Sequence, residues 1–128
     1  MRKISAVIFD LDGTLIDTEP MLIDAIEALI EQRGGHLPPA GAQALVLGKS
    51  ARDIYSDIHR SFPGLFSPDR EIESGIEEIY IRYCRENDIL IPGSLDLLKK
   101  LAELFPVAIV SGSHARTVEE AASKIGRA

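Results

Sequence analysis

The chain has 128 residues, 45% hydrophobic and 27% charged, which is the balance of a folded globular protein of one domain, or of one small domain with an insertion. A formal net charge of -6 works against a phosphate backbone as partner, so nucleic-acid binding is not expected. No apolar run approaches the roughly 18 residues that cross a bilayer, and a single cysteine excludes an intrachain disulfide, so the expected setting is the cytoplasm, with no membrane partner.

The start, Met1-Arg2-Lys3, is basic, but the apolar stretch behind it is too short for the core of a signal peptide. That stretch, Ile4 to Phe9, is rich in β-branched residues and predicts a strand buried on both faces, as in a parallel sheet. It ends in Asp10-Leu11-Asp12-Gly13-Thr14, where Gly13 permits a sharp turn. The period then becomes helical. Asp17 or Thr18 can cap a helix with Pro20 in its first turn, and Leu22, Ala25, Ile26, Leu29 and Ile30 form its apolar stripe until Gly34-Gly35 stops it.

A short helix follows Pro38-Pro39 through Leu47. Ser50 and Asp53 have capping-box spacing and open a helix with Ile54 and Ile58 on one face. Ser67-Pro68 opens the longest helix, in which Ile72, Ile76, Ile79 and Tyr83 recur at steps of four, three and four. Cys84 reads as a small half-buried residue of that helix. Ser94 is set to cap the next one, with Leu95, Leu98 and Leu101 inward, and Pro106 breaks it. Val107 to Val110 is a second strand of the buried type, closed by Ser111-Gly112-Ser113. A last helix starts near His114 with Ser113 as its N-cap, and carries Val118, Ala121, Ala122 and Ile125.

This order predicts an α/β fold: a partial Rossmann-like parallel sheet core, with two strands seen, and an inserted all-helical cap. Residues 1–16 and 90–128 form the core, which is incomplete, and residues 17–89 the cap. Two strands leave an open edge and an uncovered face, so self-association through the incomplete core is expected.

Ligand sites of open parallel sheets lie outside the carboxyl ends of the strands. The first such end carries Asp10 and Asp12, the second Ser111. Two carboxylates separated by one residue repel each other, which favours a bound divalent cation or one protonated member. One carboxylate can attack phosphorus and a second can manage the leaving-group proton. Mg²⁺ accepts carboxylate and carbonyl oxygens and shares its shell with phosphate. A hydroxyl at Ser111, followed by Gly112 and a helix start, offers donors to phosphate oxygens. His36, His59 and His114 have no ligand spacing and suit surface or capping roles.

Phe9-Asp10-Leu11-Asp12-Gly13-Thr14-Leu15-Ile16-Asp17-Thr18-Glu19-Pro20 resembles the first motif of the haloacid-dehalogenase-like hydrolases, and Val107-Ala108-Ile109-Val110-Ser111-Gly112-Ser113 their second. The helical insertion resembles the cap of the phosphatases and β-phosphoglucomutase-like members. The resemblance implies Asp10 as nucleophile and Mg²⁺ ligand, Asp12 as general acid/base with its backbone carbonyl on the metal, and Ser111 on the transferring phosphoryl group. Leu47-Gly48-Lys49-Ser50-Ala51-Arg52 is similar to the cap segment that reads substrate, so Gly48, Lys49 and Arg52 are candidates for specificity; Lys49 and Arg52 equally suit solvated charges at a helix start. Closure of the cap would exclude water and bring Lys49 over the substrate.

The resemblance implies a Mg²⁺-dependent phosphatase working on a small phosphorylated metabolite through an aspartyl-phosphate. The family's third motif, a later lysine, and its fourth, late acids, have no counterpart here; Lys124 sits inside the helix after Ser111 and does not suit that role. The expectation is therefore a truncated chain, inactive or nearly so alone. The alternatives are a β-phosphoglucomutase-like phosphomutase, or a non-catalytic remnant acting as a binding or assembly module. A phospho-accepting receiver domain fits poorly, since receivers have no helical insertion after the first strand.

Overall fold

The computed structural model describes residues 3–127. Val7–Asp10 forms strand β1 and Val107–Val110 forms strand β2. They pair in parallel, Val7 with Val107 and Asp10 with Val110 as Cα partners, so both strands end at the same border of the sheet. A parallel pair needs a long crossover, and here it runs through helices α1 (Glu19–Gln32), α2 (Gly41–Val46), α3 (Ala51–Ser61), α4 (Asp69–Glu86) and α5 (Pro92–Ala102). Helix α6 (Ala115–Arg127) follows β2. The fold is α/β, a two-stranded parallel sheet with an all-helical insertion.

The chain divides into two compact units, one from Pro20 to Glu86 and the other made of the flanking segments up to Glu19 and from Asn87 onward. In the flanking unit, β1 leads into a tight turn: Gly13 N–H donates to the Ile16 carbonyl at 2.7 Å and Leu15 N–H to the Leu11 carbonyl at 2.9 Å, with Gly13 at φ 74°. Only glycine adopts that angle without steric cost. The turn is anchored by Leu11, Leu15 and Ile16, all fully buried; each such side chain contributes about 1.5–3 kcal/mol by leaving water. The outgoing and returning segments then lie side by side, with Asp17 N–H on the Ile89 carbonyl at 2.7 Å and Ile91 N–H on the Leu15 carbonyl at 2.9 Å.

The helical unit has its own core, built from the α1 stripe (Ala25, Ile26, Leu29, Ile30) and from Ile54, Ile58, Ile72, Ile76 and Ile79, with Tyr83 packed against it. Helix α3 starts at the expected capping box: Ser50 Oγ accepts from Asp53 N–H, and the Asp53 carboxylate accepts from Ser50 N–H. Helices α1 and α4 approach closely at Gly75, where a Cβ would stand 2.7 Å from Leu29 Cδ1.

Four local expectations are corrected. The strand was expected over Ile4 to Phe9 with both faces buried, but pairing begins at Val7, and the face carrying Ile8 and Val110 is open, at 68% and 59% exposure. Alternate side chains point to opposite faces; Phe9 is covered on its own side, and the other side is bare. Helix α5 begins at Pro92, with Ile91 as N-cap and no side-chain cap, rather than at Ser94. Proline's fixed φ suits the first helical position and extends the helix backward. Cys84 is buried rather than half-buried. The side chain of Ser113, expected to cap α6, turns elsewhere, as described below. Among the described residues no helix is long and apolar enough to cross a membrane.

Candidate active site at the strand ends

Asp10 is the last residue of β1, and Ser111 directly follows its Cα partner Val110, so the ladder brings both to one border of the sheet. Asp10 is exposed to solvent, and its Oδ1 accepts the N–H of Leu11 at 2.9 Å. Asp12 sits lower in the turn and is half-buried. Three hydroxyls converge on its carboxylate. Thr18 Oγ1 donates to Oδ1 at 2.8 Å, Ser113 Oγ to Oδ2 at 2.5 Å, and Ser111 Oγ to the same Oδ2 at 3.4 Å. Ser111 Oγ also accepts the N–H of Ser113 at 3.1 Å. Gly112, between the two serines, is exposed.

The predicted quartet Asp10, Asp12, Ser111 and Gly112 therefore shares one strand-end cluster. Two residues of this cluster escaped the sequence reading. Thr18, the one buried polar residue among those described, spends its hydroxyl on Asp12, as a buried hydroxyl must find a partner. Ser113 does the same from the other side. Thr18 lies within the quoted motif, so the signal was there; nothing local linked Ser113 to Asp12.

The two carboxylates differ in availability. Asp12's carboxylate is occupied by hydroxyl donors, which leaves its backbone carbonyl, with the Asp10 carboxylate, as the oxygen pair a hard cation could use. No group of three or more His, Cys, Asp or Glu side chains that could hold a metal is found among the described residues. An oxygen pair suits an ion that keeps most of its water, as Mg²⁺ does.

Gly48, Lys49 and Arg52 belong to the helical unit. Gly48 has φ 68°, and Arg52 is exposed. Lys49 Nζ donates to Asp57 Oδ2 at 2.5 Å, and Arg60 reaches the other oxygen of the same carboxylate. The hydrogen bond from Lys49 holds the Asp57 carboxyl below its ordinary value, with Arg60 assisting against partial burial. His59 pairs with Asp69 at 2.6 Å, a surface role. Lys124 donates to the carbonyl of Asn87.

A family model for haloacid dehalogenase-like hydrolases matches residues 4–128. The phosphoglycolate phosphatase of Neisseria meningitidis is 30% identical over an alignment covering 100% of this chain and 56% of that protein. Among solved structures, CbbY from Rhodobacter sphaeroides in complex with phosphate superposes with TM-score 0.76 at 22% identity, covering 93% of this chain and 56% of that one. YfnB from Bacillus subtilis, bound to magnesium, superposes with TM-score 0.61 at 22% identity, covering 98% and 61%. The chain thus spans little more than half the length of this curated relative.

Proposed function

The chain belongs to the haloacid dehalogenase-like hydrolases, and from that premise we propose that it serves phosphoryl transfer from a small phosphorylated metabolite to water, with Asp10 as nucleophile. The observation that carries this reading is the shared border of the sheet: an exposed carboxylate at the end of β1, a hydroxyl next to the end of β2, and a second carboxyl, Asp12, 3.4 Å from that hydroxyl. Asp10 attacks phosphorus, the bond from phosphorus to the substrate oxygen breaks, and Asp12 gives that oxygen a proton. Water then attacks the acyl-phosphate while Asp12 takes its proton, which releases phosphate and restores Asp10. Ser111 and the backbone around Gly112 orient the phosphoryl group. Mg²⁺ held by the Asp10 carboxylate and the Asp12 carbonyl would offset the charge that builds between carboxylate and phosphate.

The substrate class is a small acidic phosphate ester, in keeping with the phosphoglycolate phosphatase among the relatives. Gly48, Lys49 and Arg52 are the proposed substrate-reading group, and Lys49→Ala is expected to raise KM more than it lowers kcat. The 128-residue polypeptide assayed alone is expected to turn over slowly, because the family's later lysine and late acids have no counterpart in it. The test is release of p-nitrophenol from its phosphate ester with and without Mg²⁺, together with recovery of a phosphorylated peptide containing Asp10. Asp10→Asn must abolish both; turnover that persists in Asp10→Asn overturns the assignment.

A second reading, an assembly module, is favoured by the bare face of the sheet, where Ile8 and Val110 stand 68% and 59% exposed beside Ala108. We propose that a second copy of the chain covers this face. Light scattering over a concentration series tests it, and a monomer throughout removes the proposal.

A further inference from the structure

We propose that Ser113 is a positioning residue for Asp12. The proposal rests on the reading of Asp12 as the proton-transferring carboxyl, and goes beyond it by naming what aims that carboxyl. A serine just before a helix is ordinarily a cap, its oxygen turned to the backbone of the first turn. Here the hydroxyl lies 2.5 Å from Asp12 Oδ2, the length of a charge-assisted bond between a hydroxyl and a carboxylate. At the start of α6 the His114 carbonyl accepts Val118 N–H at 3.0 Å and Thr117 Oγ1 at 2.7 Å.

Geometry explains why a second donor matters. Thr18 fixes Oδ1 at 2.8 Å from the side of the turn. One bond leaves a carboxyl free to rotate about χ2, a broad torsion for aspartate. A bond to each oxygen removes that freedom, and Ser113 supplies the second one from the β2 side. Ser111, at 3.4 Å from the same Oδ2, is too distant to do so well. The backbone N–H of Ser113 meanwhile holds the Ser111 hydroxyl at 3.1 Å, so one residue aims both the carboxyl and the phosphoryl-binding hydroxyl. Misaiming a proton-transfer group by a fraction of its reach costs rate far more than binding.

Two measurements on the full chain test this. Thermal midpoints are compared for Ser113→Ala in the parent and in an Asp12→Ala background. A lower midpoint in the parent and no further loss in the Asp12→Ala background is the expected result; an equal loss in both backgrounds identifies a plain helix cap and overturns the proposal, as does no loss in either. Turnover of a generic aryl phosphate is then compared for Ser113→Ala and Ser113→Thr. Ser113→Ala is expected to lose roughly ten- to hundredfold in kcat with KM little changed, and Ser113→Thr, which keeps a hydroxyl, to recover most of it; a threonine variant no better than the alanine overturns the positioning role. If turnover is below detection, the midpoint comparison alone decides. Failure of the phosphatase reading appears separately, as activity indifferent to Asp10→Asn.

Discussion

The Thr18 hydroxyl donates to Asp12 Oδ1 at 2.8 Å, tying the residue just before helix α1 to the carboxyl in the turn that leaves β1. Between them the backbone is already closed by Gly13 N–H on the Ile16 carbonyl and by Leu15 and Ile16 N–H on Leu11. The side-chain bond therefore completes a rigid loop over the buried Leu11, Leu15 and Ile16. Thr18→Val keeps the shape and removes the donor. A hydrogen bond to a charged group contributes about 1.5–3 kcal/mol, and Asp12 keeps Ser113, so a loss of about 1–2 kcal/mol in urea unfolding is expected. No loss would mean that the Asp12 carboxyl finds solvent at no cost.

Much of this was legible because it is local. A capping box is read across four residues, and Ser50 and Asp53 form theirs as expected. The stripes in α1 and α4 become core because their spacing alone decides which side chains face inward. The strand ends carrying Asp10 and Ser111 coincide because a parallel pairing of two short apolar runs has few registers. Ser113 was not legible. Its partner Asp12 lies 101 residues away, and a serine that caps a helix reads the same as one that reaches across the sheet. The bare face of the sheet was only half legible: an unbroken apolar run signals two covered faces, while the cover itself lies in whatever packs there, and Ile8 has nothing over it.

That exposed isoleucine yields a second prediction. Ile8 is 68% exposed, so a charged side chain there costs the fold little. If a second copy covers the face, Ile8→Lys buries a charge in the contact, and the apparent mass in light scattering falls to that of a monomer. Equal association of parent and Ile8→Lys would move the contact to another surface.

Acid should weaken the helical unit in a defined window. The Asp57 carboxyl is held below its ordinary value of 3.8, first by the Lys49 hydrogen bond, and Glu71 below 4.5, first by the N–H of Ser67 and then by Arg33. A carboxyl whose folded pKa is depressed contributes stability that is present above its unfolded value and lost as pH falls through its folded one. Urea midpoints should thus hold steady down to about pH 5 and decline as the pH drops through the ordinary carboxylate range and below. Asp57→Asn and Glu71→Gln should each flatten that decline. Salt should weaken the Asp57 contribution more, because its main partner is a cation, whereas the leading partner of Glu71 is a neutral amide. An acid limb unchanged in both variants would assign it to other carboxyls.

Gly75 sits in the middle of α4, where alanine ordinarily gains about 1 kcal/mol through helix propensity. Here a Cβ would lie 2.7 Å from Leu29 Cδ1 and 3.1 Å from Cδ2, and Leu29 is buried in the core of α1. Overpacking of that kind costs typically about 1–3 kcal/mol, so Gly75→Ala should be destabilising by up to about 2 kcal/mol after the propensity gain. The opposing terms can be separated. Leu29→Val removes a methylene from the contact and should cost about 1 kcal/mol alone. In combination with Gly75→Ala it opens room for the new methyl, and the pair should be more stable than the sum of the single losses. Additive losses would mean that the two helices separate to admit the methyl, and that their close approach at Gly75 is not held by Leu29.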